Sequence, residues 1–232
     1  MSDQVSVNYF HAFLERHPVH RFSKHEIIVF QGEAPRSAYV VKSGIVKAYN
    51  LSTAGDEKPV AFYEADSTFP GAWVYGKAGS ATYYYEAFTP EVVVYAIDQA
   101  EYVKFIRTRP DLLYMEYERL LAEQLGSTIR LNALQHSKAR DKLIYTLHYL
   151  ALSHGNPSSH SVTLKLDLTH QDLANLTGLT RETAATELNK LKKQGIIDYG
   201  KNTPYHLNLD RLTRLLNDEF IADLQANLQL GR

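Results

Sequence analysis

The chain has 232 residues, enough for two ordinary domains, and its 44% hydrophobic and 22% charged content is that of a soluble globular protein. No run is long and apolar enough to cross a bilayer. The opening MSDQVSVNYFHAFLERH lacks the layout of a signal or transit peptide, so cytoplasmic residence without a membrane partner is expected. The absence of cysteine excludes disulfides, Cys-ligated metal centres and thiol redox sensing, and a net charge of −1 excludes a general polyanion binder.

In chain order, residues 4–16 read as a short amphipathic helix with Val7, Phe10, Phe13 and Leu14 on one side. From Val19 to about Ile97 come short β-rich runs, HEIIVFQ, SAYVVKSG, IVKAYNLS, KPVAFYEA, TYYYEAFT and EVVVYAID, separated by Gly, Pro, Ser and Asp. Many short strands at this spacing predict a compact sandwich or jelly-roll barrel. Asp98–Arg107 reads as a short helix, and Pro110 opens a long one running to about Gln135. Along it Leu113, Tyr117, Leu120, Gln124, Ser127, Leu131 and Leu134 step alternately by four and three. This heptad period suits two helices wrapped together, so a parallel homodimer is expected, with packing on the chain's own barrel as the alternative. Leu121, Leu125 and Ile129 form a second apolar row.

Ser137 begins another helix, ending near Gly155; residues 155–161 read as a loop, and VTLKLDL as a strand. Thr169 and Asp172 then form a capping-box variant opening a helix whose apolar face is Leu173, Ala174 and Leu176. Gly178 supplies the tight turn and Thr180 caps a second helix. Ala184, Leu188 and Leu191 form its back, and its front shows Arg181, Glu182, Thr186, Asn189, Lys190 and Lys193. A helix with a small apolar back and an Arg/Glu/Thr front suits the major groove of double-stranded DNA. Gly195–Gly200 and Tyr205–Leu209 predict a hairpin, making the unit a winged helix. Asp210 is expected to cap a last helix with Leu212, Leu215, Leu216, Phe220, Ile221 and Leu224 on its apolar side. Charge follows this division: residues 1–136 hold 13 Lys/Arg against 16 Asp/Glu, and residues 137–232 hold 12 against 10.

The predicted class is therefore α+β. Residues 1–110 form a jelly-roll barrel, residues 111–136 a dimerisation helix, and residues 137–232 a winged helix-turn-helix with an extra C-terminal helix. This order resembles the Crp/Fnr family of bacterial transcription regulators. The resemblance rests on IIVFQGEAPRSAYVVKSGIVKAY and PGAWVY in the barrel, and on KLIYTLHYLA, LTHQDLANLTGLTRET and LKKQGII beyond it. It implies a cyclic-nucleotide-binding-like barrel, a homodimer on a palindromic operator, and RNA polymerase as a partner. Arg181 and Glu182 match the family's base-reading positions. Thr186 stands where relatives often carry Arg or Ser, and Thr169, His170, Thr180, Thr183 and Lys201 are candidate phosphate contacts.

The barrel departs from the family pattern. Cyclic-nucleotide binders have Gly-Glu-Leu followed by an Arg-Ser or Arg-Thr pair. Here Gly71 precedes Ala72 and Trp73, and the Arg position falls near Ala81, as in the branch containing the listerial virulence regulator. Any effector is then expected to be other than an ordinary cyclic nucleotide, its existence and identity both open. Trp73, Tyr75, Tyr83 and Tyr85, with Ser127 and Thr128, are candidate pocket residues. A barrel plugged by its own aromatic core is the competing reading, and alternation sends Tyr84 to the opposite face from Tyr83 and Tyr85.

The ten histidines show no i,i+4 metal spacing, and His136, His148 and His170 read as surface, packing and phosphate-proximal residues. No catalytic motif appears, so no enzyme activity, metal or cofactor is expected. A non-enzymatic effector-binding module acting mainly through protein partners is the alternative function.

Overall fold

The computed structural model describes residues 2–200 and 203–216, so Lys201, Phe220, Ile221 and Leu224 lie outside the described residues. The chain divides into two compact units, Met1–Leu120 and Leu121–Arg232.

The first unit opens with α1 (Ser2–Leu14), followed by β1 (Val19–Ser23), β2 (Ile27–Val29), β3 (Ala38–Ser43), β4 (Val46–Leu51), β5 (Glu57–Tyr63) and β6 (Thr68–Phe69). A four-residue helix, α2 (Gly71–Val74), leads to β7 (Tyr84–Ala87), β8 (Glu91–Ile97), α3 (Gln99–Arg107) and α4 (Pro110–Gln135), which continues into the second unit. The strands make two antiparallel sheets, ordered β1-β8-β3-β6 and β2-β7-β4-β5. The predicted runs supply β2, β3, β4, β5, β7 and β8. Val19–Ser23 and Thr68–Phe69 join as additional strands, too short or too polar for a clear alternating pattern.

Two apolar cores follow from this layout. Between the sheets, Val41, Val92, Val94 and Phe69 of one meet Val29, Val46, Ala48 and Tyr85 of the other. The second core gathers Phe10 and Leu14 of α1, Val40 and Ile97 of the sheet, Tyr102 and Ile106 of α3, and Leu112 of α4. Phe13 stacks on Phe105 at 3.7 Å, and Arg109 lies over the Tyr9 ring at 4.0 Å. Asp111 accepts from Arg109 at 2.6 Å and 2.9 Å and from Ser6 at 2.6 Å, which holds its carboxyl well below the usual range. These contacts dock α1 against the start of α4.

The second unit is built around α5 (Ala139–His154), whose residues Leu143–Ala151 are all buried. Around it come β9 (Gly155–Pro157), β10 (Ser161–Leu164), α6 (His170–Thr177), α7 (Arg181–Lys193), β11 (Ile197–Asp198), β12 (His206–Asn208) and α8 (Leu209–Leu216). The strands form one sheet in the order β11-β12-β10-β9. Gly126, Ile129 and Ala133 on α4 are buried, and a Cβ at Gly126 would stand 3.0 Å from the Tyr149 ring, so this face packs on α5.

Several local expectations are corrected here. α5 begins at Ala139 rather than Ser137, with Lys138 at its N-cap. Gly155 ends α5 in an extended conformation (φ −104°, ψ 145°), and residues 155–157 form a strand rather than loop. A side chain at Gly155 would collide with the Ala151 carbonyl and with Val162, so closeness rather than turn geometry calls for glycine there. Asn208, not Asp210, caps α8: its Oδ1 accepts from the Arg211 N–H at 3.0 Å. His136 is half-buried rather than a surface residue, its ring 4.1 Å from that of Tyr145.

Candidate nucleic-acid interface

α6 and α7 meet at a turn built as the residue types dictate. The Thr169 hydroxyl accepts from the Asp172 N–H at 3.1 Å, and the Asp172 carboxylate accepts from the Thr169 N–H at 2.8 Å, a complete reciprocal capping box. Gly178 takes a left-handed conformation (φ 66°, ψ 26°) and ends α6. Thr180 then caps α7, its hydroxyl accepting from the Thr183 N–H at 3.2 Å and lying 2.9 Å from the Thr183 hydroxyl. Ala184, Leu188 and Leu191 are wholly buried, fixing the rotation of α7. Fully burying each leucine contributes about 1.5–3 kcal/mol, which anchors the helix and leaves its opposite face outward.

That face is exposed at Arg181, Glu182, Thr186, Asn189, Lys190 and Lys193. The Arg181 and Glu182 side chains have no hydrogen-bond or ion-pair partner among the described residues, so both are uncommitted at the first turn of α7. The Thr186 hydroxyl donates to the Glu182 carbonyl at 2.9 Å. The hydroxyls of Thr169, Thr180 and Thr183 already serve the caps. His170 is half-buried, edge-on to the Tyr199 ring at 5.2 Å, and both its burial and the nearby Arg181 charge lower its pKa.

The wing adds groups that sequence reasoning did not connect to α7. The Tyr199 hydroxyl donates to Asn189 Oδ1 at 2.9 Å, and the Lys192 ammonium lies 4.8 Å over the Tyr199 ring. Lys192 also pairs with Asp198 at 2.9 Å and donates to the Tyr199 carbonyl. No periodicity links residues ten apart on different elements, so the sequence carried no signal for this tie.

The candidate pocket aromatics separate into two groups. Tyr85 and Tyr83 belong to the core between the sheets, where Tyr85 stacks on Phe69 at 5.2 Å and Tyr63 lies 5.9 Å from Tyr85. Tyr84 points the other way, stacked on Tyr49 at 5.4 Å. Trp73 and Tyr75 pack instead on the α1/α3/α4 core, with the Tyr75 hydroxyl donating to buried Glu116 at 3.1 Å and Arg119 donating to Glu116 at 2.8 Å. The four barrel candidates therefore belong to two different cores; Ser127 and Thr128 are exposed residues of the second unit, Thr128 donating to the Gln124 carbonyl at 3.0 Å. Ala81 is buried, its backbone paired in both directions with the turn at Gly32 and Glu33.

On α4, Leu113, Tyr117, Leu120, Gln124, Ser127, Leu131 and Leu134 are all exposed, Leu131 to 60% and Tyr117 to 56%. Leu121 and Leu125 are also exposed, at 39% and 37%, whereas Ile129 is buried.

Comparison with known proteins agrees with this architecture. Residues 19–109 match the cyclic nucleotide-binding domain family and residues 141–215 the Crp-like helix-turn-helix domain family. The global nitrogen regulator of Synechocystis sp. is 28% identical over 185 residues, 79% of this chain and 81% of that protein. Regulatory protein HlyX of Actinobacillus pleuropneumoniae is 27% identical over 177 residues, covering 75% of this chain and 71% of its own length. Among solved structures, a CooA mutant from Carboxydothermus hydrogenoformans superposes with a TM-score of 0.70 at 22% identity, over 89% of this chain and 90% of that one. With a barrel of the first kind, a long helix and a reading domain of the second kind in that order, the chain belongs to the Crp/Fnr family of transcription regulators.

Proposed function

We propose that the protein is a non-enzymatic, cytoplasmic, homodimeric regulator that binds a palindromic operator, with Arg181 and Glu182 reading bases and RNA polymerase as a further partner. The observation that carries this reading is the uncommitted Arg181–Glu182 pair on a helix whose back is locked into the core. A guanidinium bonds guanine O6 and N7 together, and a carboxylate accepts from the cytosine amino group. Lys201, outside the described residues, joins His170 as a phosphate contact. The exposed heptad row of α4 supports the dimer, because seven successive seam positions left exposed among the described residues suit a second copy of the same helix. The boundaries 1–110, 111–136 and 137–232 then correspond to barrel, seam and reading head.

Any effector differs from an ordinary cyclic nucleotide. Ala72 and Ala81 offer neither carboxylate nor guanidinium, and the rings of Phe69 and Tyr85 occupy the space between the sheets. Enrichment from a random duplex library tests the reading. A two-fold-symmetric motif is expected, and failure to enrich any palindrome, with or without cell extract, would overturn it.

A further inference from the structure

Asn189 lies on the exposed face of α7, in line with Glu182, Thr186 and Lys193 at spacings of four, three and four residues. At 1.5 Å per residue it stands about 12 Å along the helix axis from Arg181, within the same face. Its carbonyl oxygen accepts from the Tyr199 hydroxyl at 2.9 Å, while its amide NH2 makes no hydrogen bond among the described residues. Tyr199 is itself held on three sides: edge-on by His170 at 5.2 Å, by the Tyr205 ring at 4.9 Å, and by the Lys192 ammonium over its face at 4.8 Å.

We propose that Asn189 is a further base-reading residue, and that Tyr199 from the wing fixes it as a hydrogen-bond donor. This rests on the reading of the second unit as a DNA-binding head. An unrestrained asparagine offers a donor and an acceptor side by side and pairs in bidentate fashion with adenine N7 and N6. With its carbonyl turned to the phenol, Asn189 offers only the NH2. Guanine presents two acceptors in the major groove and thymine one at O4, whereas adenine presents N7 beside a competing donor and cytosine only a donor. The favoured partners are guanine or thymine, then adenine, with cytosine last. Burial pushes the Tyr199 phenol above its ordinary range despite Lys192, so it stays protonated and able to donate.

Tyr199 is a positioning residue; its ring packs and its hydroxyl orients. The two roles separate in Tyr199→Phe, which keeps the ring and removes the donor. Full-length wild type, Asn189→Ala and Tyr199→Phe should each be selected against the same random duplex library. Asn189→Ala is expected to flatten preference at one base pair per half-site by about fivefold, the scale of a single neutral hydrogen bond, leaving other positions unchanged. Tyr199→Phe should raise acceptance of adenine at that same base pair, since the freed carbonyl completes the bidentate pair.

An unchanged motif for Asn189→Ala, or a uniform loss across all sequences, overturns base reading by Asn189 while leaving the regulator reading intact. A Tyr199→Phe motif identical to wild type overturns the orienting role. Wild type that enriches no palindrome defeats the regulator reading and this inference together.

Discussion

Arg181 is exposed and has no hydrogen-bond or ion-pair partner among the described residues, so Arg181→Ala should leave thermal stability within about 0.5 kcal/mol of wild type. Its effect belongs to the complex: choice of one base per half-site should relax by about 1–3 kcal/mol in competition binding assays. Uniform weakening over all sequences would make it a phosphate contact instead. Thr180 behaves oppositely. Its hydroxyl caps α7, so Thr180→Ala should cost about 1 kcal/mol of stability in denaturant titration, whatever DNA is present. His170 connects charge to binding. In the free protein its pKa lies below 6.5, through burial and Arg181. A neighbouring phosphate would favour the protonated ring, so DNA binding takes up a proton between the free and bound values. Affinity should therefore rise as pH falls through the bound-state pKa of His170, and His170→Gln should flatten that slope.

At the scale of elements, α4 carries an exposed apolar row of regular period, with Leu113, Tyr117, Leu120, Leu131 and Leu134 all exposed. Leu120→Glu with Leu131→Glu places carboxylates at positions 53% and 60% exposed within one chain, so the circular dichroism spectrum should be unchanged. Sedimentation velocity should nonetheless show monomer where the wild type shows dimer; persistence of the dimer would move the interface elsewhere. The start of α4 at Pro110 and its run to about Gln135 were legible because proline marks the start and the four-three spacing continues to Leu134. The helix-turn-helix was equally legible, because Thr169, Asp172, Gly178 and Thr180 carry local backbone chemistry that does not depend on the rest of the fold. What escaped were features made by distant partners. Gly155 looks like a helix stop, yet its role is set by Val162 on the neighbouring strand. The dispersal of Trp73, Tyr75, Tyr83 and Tyr85 into two cores follows from the path between α2 and β7, which alternation within one strand does not encode. Lys47, buried against Glu86 and Glu57 at 3.3 Å and 2.5 Å, likewise reads as an ordinary surface residue in its strand.

At the scale of the whole molecule, the proposed homodimer, with a net charge of −1 per chain, would draw its DNA affinity mainly from symmetry. Two linked heads convert the second binding event into an intramolecular one, so the doubly substituted α4 variant should bind a palindrome at least ~100-fold more weakly while keeping the wild-type half-site motif. Its dependence on salt should fall to about half the wild-type slope, because half as many phosphates are engaged per complex. The other unit carries a convenience for the experimenter. Trp73 is the chain's single tryptophan, half-buried in α2 against the α1/α3/α4 core, with its carbonyl accepting from Gln99 at 2.7 Å. Indole emission is sensitive to the polarity around the ring, and no second indole contributes background. The native protein thus contains its own optical probe at the short helix α2. Titrating metabolites while following emission wavelength would reveal a compound that disturbs α2, without label or engineered variant.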